Sequence, residues 1–231
     1  MRTKSFNIKV LAYALLVELV IVAALILPHT PRVEAGTCSG HLWESAKDAS
    51  STMYYGAYGD SIVQDASVQV GSTSFFVNST SIRFDDDEWA EVGWRWAGDE
   101  SSARAFVAWS KDGNWDFETF QTLATGTDHY FETRRQSSSS DQWNWYVDGV
   151  FKKSLELPDL DFGVVVAQQE RYYVCDNVDE SHWWSLRRMN SGGSYSWWGD
   201  LVEDVSSDPD YCIHEISNTE FKTPKTGNPN C

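Results

Sequence analysis

The stretch Trp89-Ala90-Glu91-Val92-Gly93-Trp94-Arg95-Trp96-Ala97 reads as an extended chain. Successive side chains of a β-strand point to opposite faces. Trp89, Glu91, Gly93 and Arg95 therefore share one side, and Ala90, Val92, Trp94 and Trp96 share the other. The second side is wholly apolar, which assigns it to a core. Glu91 and Arg95 then stand together on the opposite face, in solvent or lining a groove.

Outward from this strand, the chain repeats short runs rich in β-branched and aromatic residues, separated by turn chemistry. The runs cover residues 61–70, 74–84, 89–96, 103–110, 116–122, 129–135, 143–147, 151–157, 164–173, 182–188, 195–198 and 211–216. Lys111-Asp112-Gly113-Asn114, Asp148-Gly149 and Ser191-Gly192-Gly193 read as turns between antiparallel neighbours. About a dozen such strands predict an all-β fold, an antiparallel two-sheet sandwich of jelly-roll or concanavalin-like type. Residues 199–210 are expected to hold one short helix, and the serines at 137–140 a solvated loop. In 143–147, Trp143, Trp145 and Val147 oppose Asn144 and Tyr146, and one of these faces is expected to extend the groove.

Before the strands lies a leader. Arg2, Lys4 and Lys9 precede an apolar run from Val10 to Leu27 broken only by Tyr13 and Glu18, and Pro28 ends it. Val33-Glu34-Ala35 offers small residues for cleavage before Gly36. The expectation is a helical signal peptide over 1–35, with an uncleaved signal anchor as the alternative, because the run approaches the ~20 residues that span a bilayer. Glu18 weighs against the anchor, since an acid at mid-bilayer costs about 2.5–3.5 kcal/mol. Either way, residues 36–231 are expected to be one domain outside the cytoplasm, secreted or held at the outer surface.

Cys38, Cys175, Cys212 and Cys231 all lie in the exported part, an even number suited to two disulfides in an oxidising compartment. Three pairings are possible. Cys175–Cys212 and Cys38–Cys231 are expected, the second tying the two ends together. No close Cys-x-x-Cys spacing marks a zinc site, and neither a metal nor another cofactor is expected.

The chain carries 18 Lys+Arg against 34 Asp+Glu, a formal charge of −16. Four of those bases and two of those acids are in the leader, so the exported domain is more acidic still. Such a surface repels nucleic acid and anionic lipid, which bind through Lys and Arg. Neither is expected as a partner, and a membrane only through an uncleaved leader. All 12 tryptophans fall after residue 42. Buried Trp fills cores, and exposed Trp suits places where an apolar surface meets a ligand.

Five landmarks occur in order: Tyr55-Gly56-Ala57; Glu91-Val92-Gly93-Trp94; Arg104-Ala105-Phe106 with Trp109 and Asp112-Gly113; His182-Trp183-Trp184; and Trp197-Trp198. Together, across residues 53–221, they resemble neprosin-type domains. The resemblance implies a secreted β-sandwich glutamic peptidase that cuts peptide bonds at acid pH with two glutamates on a concave sheet face. Glu91 matches the glutamate of the family's Glu-Ala-Gly-Trp strand and would be the first catalytic carboxylate. The second would come from a late strand, as Glu215 or, failing that, Glu220. The segment 215–220 departs from the family pattern, which has a tryptophan and paired glycines beside that glutamate. Trp89, Arg95, Trp143 and Trp145 are the candidate substrate-binding residues. Two close carboxyls suit the task, one ionised to take a proton from water and one protonated to polarise the carbonyl or protonate the leaving amine.

The competing expectation is a non-catalytic, lectin-like module that stacks polysaccharide on exposed tryptophans. The partner is thus a polypeptide or a polysaccharide. Asp85-Asp86-Asp87-Glu88 lacks the spacing of a calcium loop and reads as a solvated turn. His41, His129, His182 and His214 are scattered without a zinc signature, and Asn78-Ser79-Thr80 fits a glycosylation sequon.

Overall fold

In the computed structural model, which describes residues 40–231 apart from 51, 71, 72, 174 and 230, two antiparallel sheets pack face to face. The leader, its cleavage point and Cys38 lie outside the described residues. Among the described residues no helix is long and apolar enough to cross a membrane.

Numbered in chain order, the seven-stranded sheet comprises, from edge to edge, Leu201–Ser206 (β13), Leu42–Asp48 (β1), Val164–Arg171 (β10), Phe75–Arg83 (β3), Trp89–Ala97 (β4), Arg104–Lys111 (β5) and Asn114–Thr122 (β6). The eight-stranded sheet runs His214–Ser217 (β14), Glu220–Pro224 (β15), Glu180–Met189 (β11), Gly56–Ile62 (β2), Asp128–Arg135 (β7), Gln142–Val147 (β8) and Val150–Glu156 (β9), with Tyr195–Trp197 (β12) also on β11. The sandwich and its jelly-roll character are those expected from the alternation.

The inner faces meet in one core. Ala90, Val92 and Trp94 of β4 are fully buried there, opposite Phe131, Trp143 and Trp183 of the other sheet. A buried polar pin crosses this core. Trp183 donates its indole N–H to Asn78 Oδ1, and Asn78 Nδ2 donates to Ser61 Oγ at 2.9 Å. The Trp183 indole thus keeps its apolar contacts without stranding its donor. Asn78 has no exposed surface. The sequon at 78–80 is therefore closed to glycosylation in the folded domain.

Two hairpins follow directly from their Asp-Gly pairs. Asp112 and Gly113 have φ of 53° and 71°, and Asp148 and Gly149 have 52° and 72°. Positive φ at both central residues is the two-residue turn whose twist matches that of paired strands.

Several expectations are corrected. Residues 199–210 hold no helix; β13 pairs there with β1, and Asp204 ties it down through Arg83 at 2.6 Å and Lys47 at 2.7 Å. Cross-strand partners override weak local preference. The strand placed at 61–70 is β2, which starts at Gly56 and ends at Ile62, and β1 and β15 are additional. Cys212 pairs with Cys231, so neither Cys175–Cys212 nor Cys38–Cys231 forms, although Cys175 is also disulfide-bonded. The bond straps the C-terminus beside the β14–β15 hairpin.

Candidate active site

The outer face of the seven-stranded sheet forms a groove of about 810 Å³. Register explains which residues meet in it. Glu91 of β4 lies opposite Ser81 of β3 and Ala108 of β5, while Gly93 lies opposite Ser79, which in turn faces Gln168 of β10. A Cβ on Gly93 would meet the Asn78 carbonyl oxygen at 2.0 Å and Ser79 Cα at 2.6 Å. Only glycine lets β3 and β4 approach so closely, and this brings the Ser79 hydroxyl diagonally onto Glu91.

Ser79 Oγ donates to Glu91 Oε2 at 2.8 Å, and Gln168 Nε2 donates to the same oxygen at 3.1 Å. Glu91 is only 6% exposed. Burial pushes its pKa up to about 8, helped by the like charge of Glu170 and opposed by the Ser79 and Gln168 bonds. Among the described residues no cation forms an ion pair with it. Glu170, two residues beyond Gln168 on the same face of β10, accepts a bond from His41 Nε2. The result is one buried carboxyl with a raised pKa, a second carboxyl held by an imidazole, and a carboxamide between them in sequence.

The groove has an apolar floor of Val77, Phe106 and Ala108, with Phe75 and Trp89 packed against it. At one end His41 lies 4.1 Å from the Trp43 ring and 5.5 Å from Tyr172. At the other, Trp115 and Phe117 stack at 6.1 Å with planes 15° apart, and Arg95 sits 4.8 Å over Phe117.

Of the residues chosen from sequence, Glu91, Arg95 and Trp89 line this groove. The others do not. Glu215 is exposed on β14, and Glu220 on β15 bonds His182 at 2.9 Å, both on the eight-stranded sheet. Glu91 points away from that sheet, so neither shares a water with it. Trp143 and Trp145 are fully buried between the sheets, and the outward face of β8 carries Asn144 and Tyr146 on the far side of the sandwich. They are core residues and cannot extend the groove.

Gln168, Glu170, Ser79 and His41 were not among the sequence candidates. One signal for them existed. In the strand expected at 164–173, Gln168 and Glu170 share a face with Val164 and Val166, two polar groups on an otherwise apolar stripe.

The fold is similar to that of scytalido-glutamic peptidase solved with a transition state analog inhibitor. The TM-score is 0.57 at 12% identity, over 82% of this chain and 100% of that one. A second structure of that peptidase, with a peptide based transition state analog, gives 0.58 at 13% identity over the same shares. SCP-B, a member of the eqolisin family of peptidases solved with the tripeptide Ala-Ile-His, gives 0.53 at 12%, again over 82% and 100%. Likeness at this identity is likeness of fold. No protein-family model matches the sequence, and no curated protein does either.

Proposed function

We propose that this is a secreted, acid-acting glutamic endopeptidase whose reacting groups are Glu91, Glu170 and Gln168. The observation that carries the reading is a nearly buried, unneutralised carboxyl at the foot of an open groove, with Ser79 and Gln168 both bonded to one of its oxygens. The fold shared with peptidases that take peptide-like transition-state analogues supports it. The Cys212–Cys231 disulfide suits an oxidising compartment.

A carboxyl with a raised pKa is protonated at acid pH and is a proton donor rather than a base. Glu170 takes the complementary role. His41 holds its carboxylate by a hydrogen bond, and that carboxylate draws a proton from water as the water oxygen attacks the scissile carbonyl carbon. Glu91 O–H, with the free N–H of Gln168, donates to the carbonyl oxygen as negative charge develops there. On collapse the C–N bond breaks and the amine leaves with the proton from Glu91. Transfer of the proton held by Glu170 restores the pair.

The test is cleavage of denatured protein across a pH series from 3 to 9 by wild type, Glu91→Gln and Glu215→Gln. Glu91→Gln is expected to lose on the order of 10²–10⁴-fold in turnover, and Glu215→Gln none. Wild-type activity is expected to fall as pH rises through the raised pKa of Glu91. Equal cleavage by wild type and Glu91→Gln would overturn the assignment. Trp115, 66% exposed at the groove's rim, favours a second reading as a sugar-stacking module. Polysaccharide binding with no proteolysis at any pH would select it.

A further inference from the structure

Two arginines line the groove, and they differ in one respect. Arg83 is neutralised by Asp204 at 2.6 Å. Arg95 has no carboxylate within ion-pair distance among the described residues, and its one contact of note is the ring of Phe117 beneath it at 4.8 Å. Asp99 and Glu100, in the turn after β4, act on it electrostatically without closing on it. Glu100 instead accepts a bond from the Ala97 amide at 3.2 Å. Directly across the ladder, Arg104 presents a second guanidinium on the same face, tied to the Phe120 carbonyl at 2.5 Å. In a chain with 34 acidic residues against 18 basic ones, neither Arg95 nor Arg104 forms an ion pair among the described residues, and Arg95 lines the groove.

We propose that Arg95 anchors a carboxylate-binding subsite that selects substrates, an inference that rests on the peptidase reading. A guanidinium resting over an aromatic ring keeps N–H groups free of that ring, and its planar fork matches a carboxylate in two parallel bonds. Arg95 lies four residues from Glu91 on the same face of one strand, about 13 Å along the backbone. An extended peptide covers that distance in roughly four residues. The subsite therefore reads a carboxylate three or four residues from the scissile bond. Two sources offer the same chemistry, an Asp or Glu side chain and the C-terminal carboxylate of a short peptide.

The experiment uses a matched peptide set around one cleavage centre, with Glu or Gln at the third and fourth positions on either side, each as free acid and as amide. Binding of the set to Glu91→Gln and to Glu91→Gln/Arg95→Gln protein is measured by calorimetry at about pH 5.5, where both kinds of carboxylate are ionised. Cleavage by wild type, Arg95→Gln and Arg95→Lys is measured at the same pH. The expected result is that Arg95→Gln weakens binding and lowers kcat/KM about 10- to 100-fold for the carboxylate-bearing peptides alone, with Arg95→Lys in between. Dependence on Glu against Gln identifies a side-chain source, and dependence on acid against amide a terminal one. A uniform loss across the set, or no carboxylate-dependent binding, overturns the subsite. Binding that depends on both Arg95 and the carboxylate, with no cleavage by wild type, upholds the subsite and overturns only the peptidase reading.

Discussion

On the outer face of the eight-stranded sheet, Tyr58 donates to Asp60 at 3.2 Å, Tyr195 donates to Glu132 at 2.6 Å, and Arg134 closes on Glu132 at 3.3 Å. Arg187 lies over both Tyr58 and Trp197, at 5.0 and 4.3 Å, and Arg134 lies over Tyr146 at 4.6 Å. The outer face of the seven-stranded sheet has the same ingredients, acids, arginines and aromatic rings, but leaves Glu91 and Arg95 without ion-pair partners among the described residues. Similar side chains thus serve two ends. On one face most of them pair with one another, although Arg187 Nε is left without a partner. On the other their hydrogen-bonding and charge capacity is left for something that enters the groove.

The sharpest way to break this contrast is to neutralise one acid on each face. Glu91→Gln should remove about three orders of magnitude of turnover while leaving the melting temperature at pH 7 unchanged or raised, because it deletes a buried ionisable group. Glu132→Gln should leave turnover intact and lower the melting temperature. Peptide hydrolysis and calorimetry of the two variants read both outcomes.

Core and rim tryptophans should separate almost as cleanly. Trp145→Ala should cost about 3–5 kcal/mol of stability in denaturant unfolding. Trp115→Ala should stay within about 0.5 kcal/mol and raise KM instead.

Stability should also depend on pH, led by two buried acids with the largest upward shifts. Glu44, fully buried on β1, is pushed up to about 8 chiefly by burial, with Ser206 opposing and Glu203 adding to the rise, and Glu91 reaches a similar value. Both fold protonated, so their contribution is whole below the ordinary carboxylate range and is lost as pH rises through about 8. Burial raises Asp204 too, but Arg83 and Lys47 hold it below its usual value, so its contribution is lost only in strong acid. The melting temperature should therefore fall between about pH 4.5 and 8. Glu44→Gln and Glu91→Gln should each flatten that slope.

A smaller loss than that of Trp145→Ala belongs to Tyr195→Phe, which strips a hydrogen bond from Glu132. It should cost about 1–3 kcal/mol with no change in kcat or KM.

How much of this was legible beforehand depended on periodicity. The two-residue alternation of 89–97 separated Glu91 and Arg95 from the core, and the Asp-Gly pairs located two hairpins. β1, with the mixed sequence Leu-Trp-Glu-Ser-Ala-Lys-Asp, alternates too weakly to read, since Glu44 and Asp48 are themselves buried. β13 was hidden for a related reason, because its pairing with β1 joins residues some 160 positions apart. Periodicity sorts faces within a strand but not between sheets. It set Trp143 and Trp145 together without revealing that their side was the core, and it could not bring Gln168 to Glu91 across 77 residues. Glu215 was chosen for its late place in the chain, and that place lies on the other sheet from Glu91.

The most direct test of the account is a carbon-13 titration of the Glu91 carboxyl in the intact protein, assigned by its loss in Glu91→Gln. A midpoint far above the ordinary glutamate value, near 8, is the predicted result. A midpoint near the ordinary ~4.3 would show a solvated or ion-paired acid and contradict the open, unneutralised site on which the proposal stands.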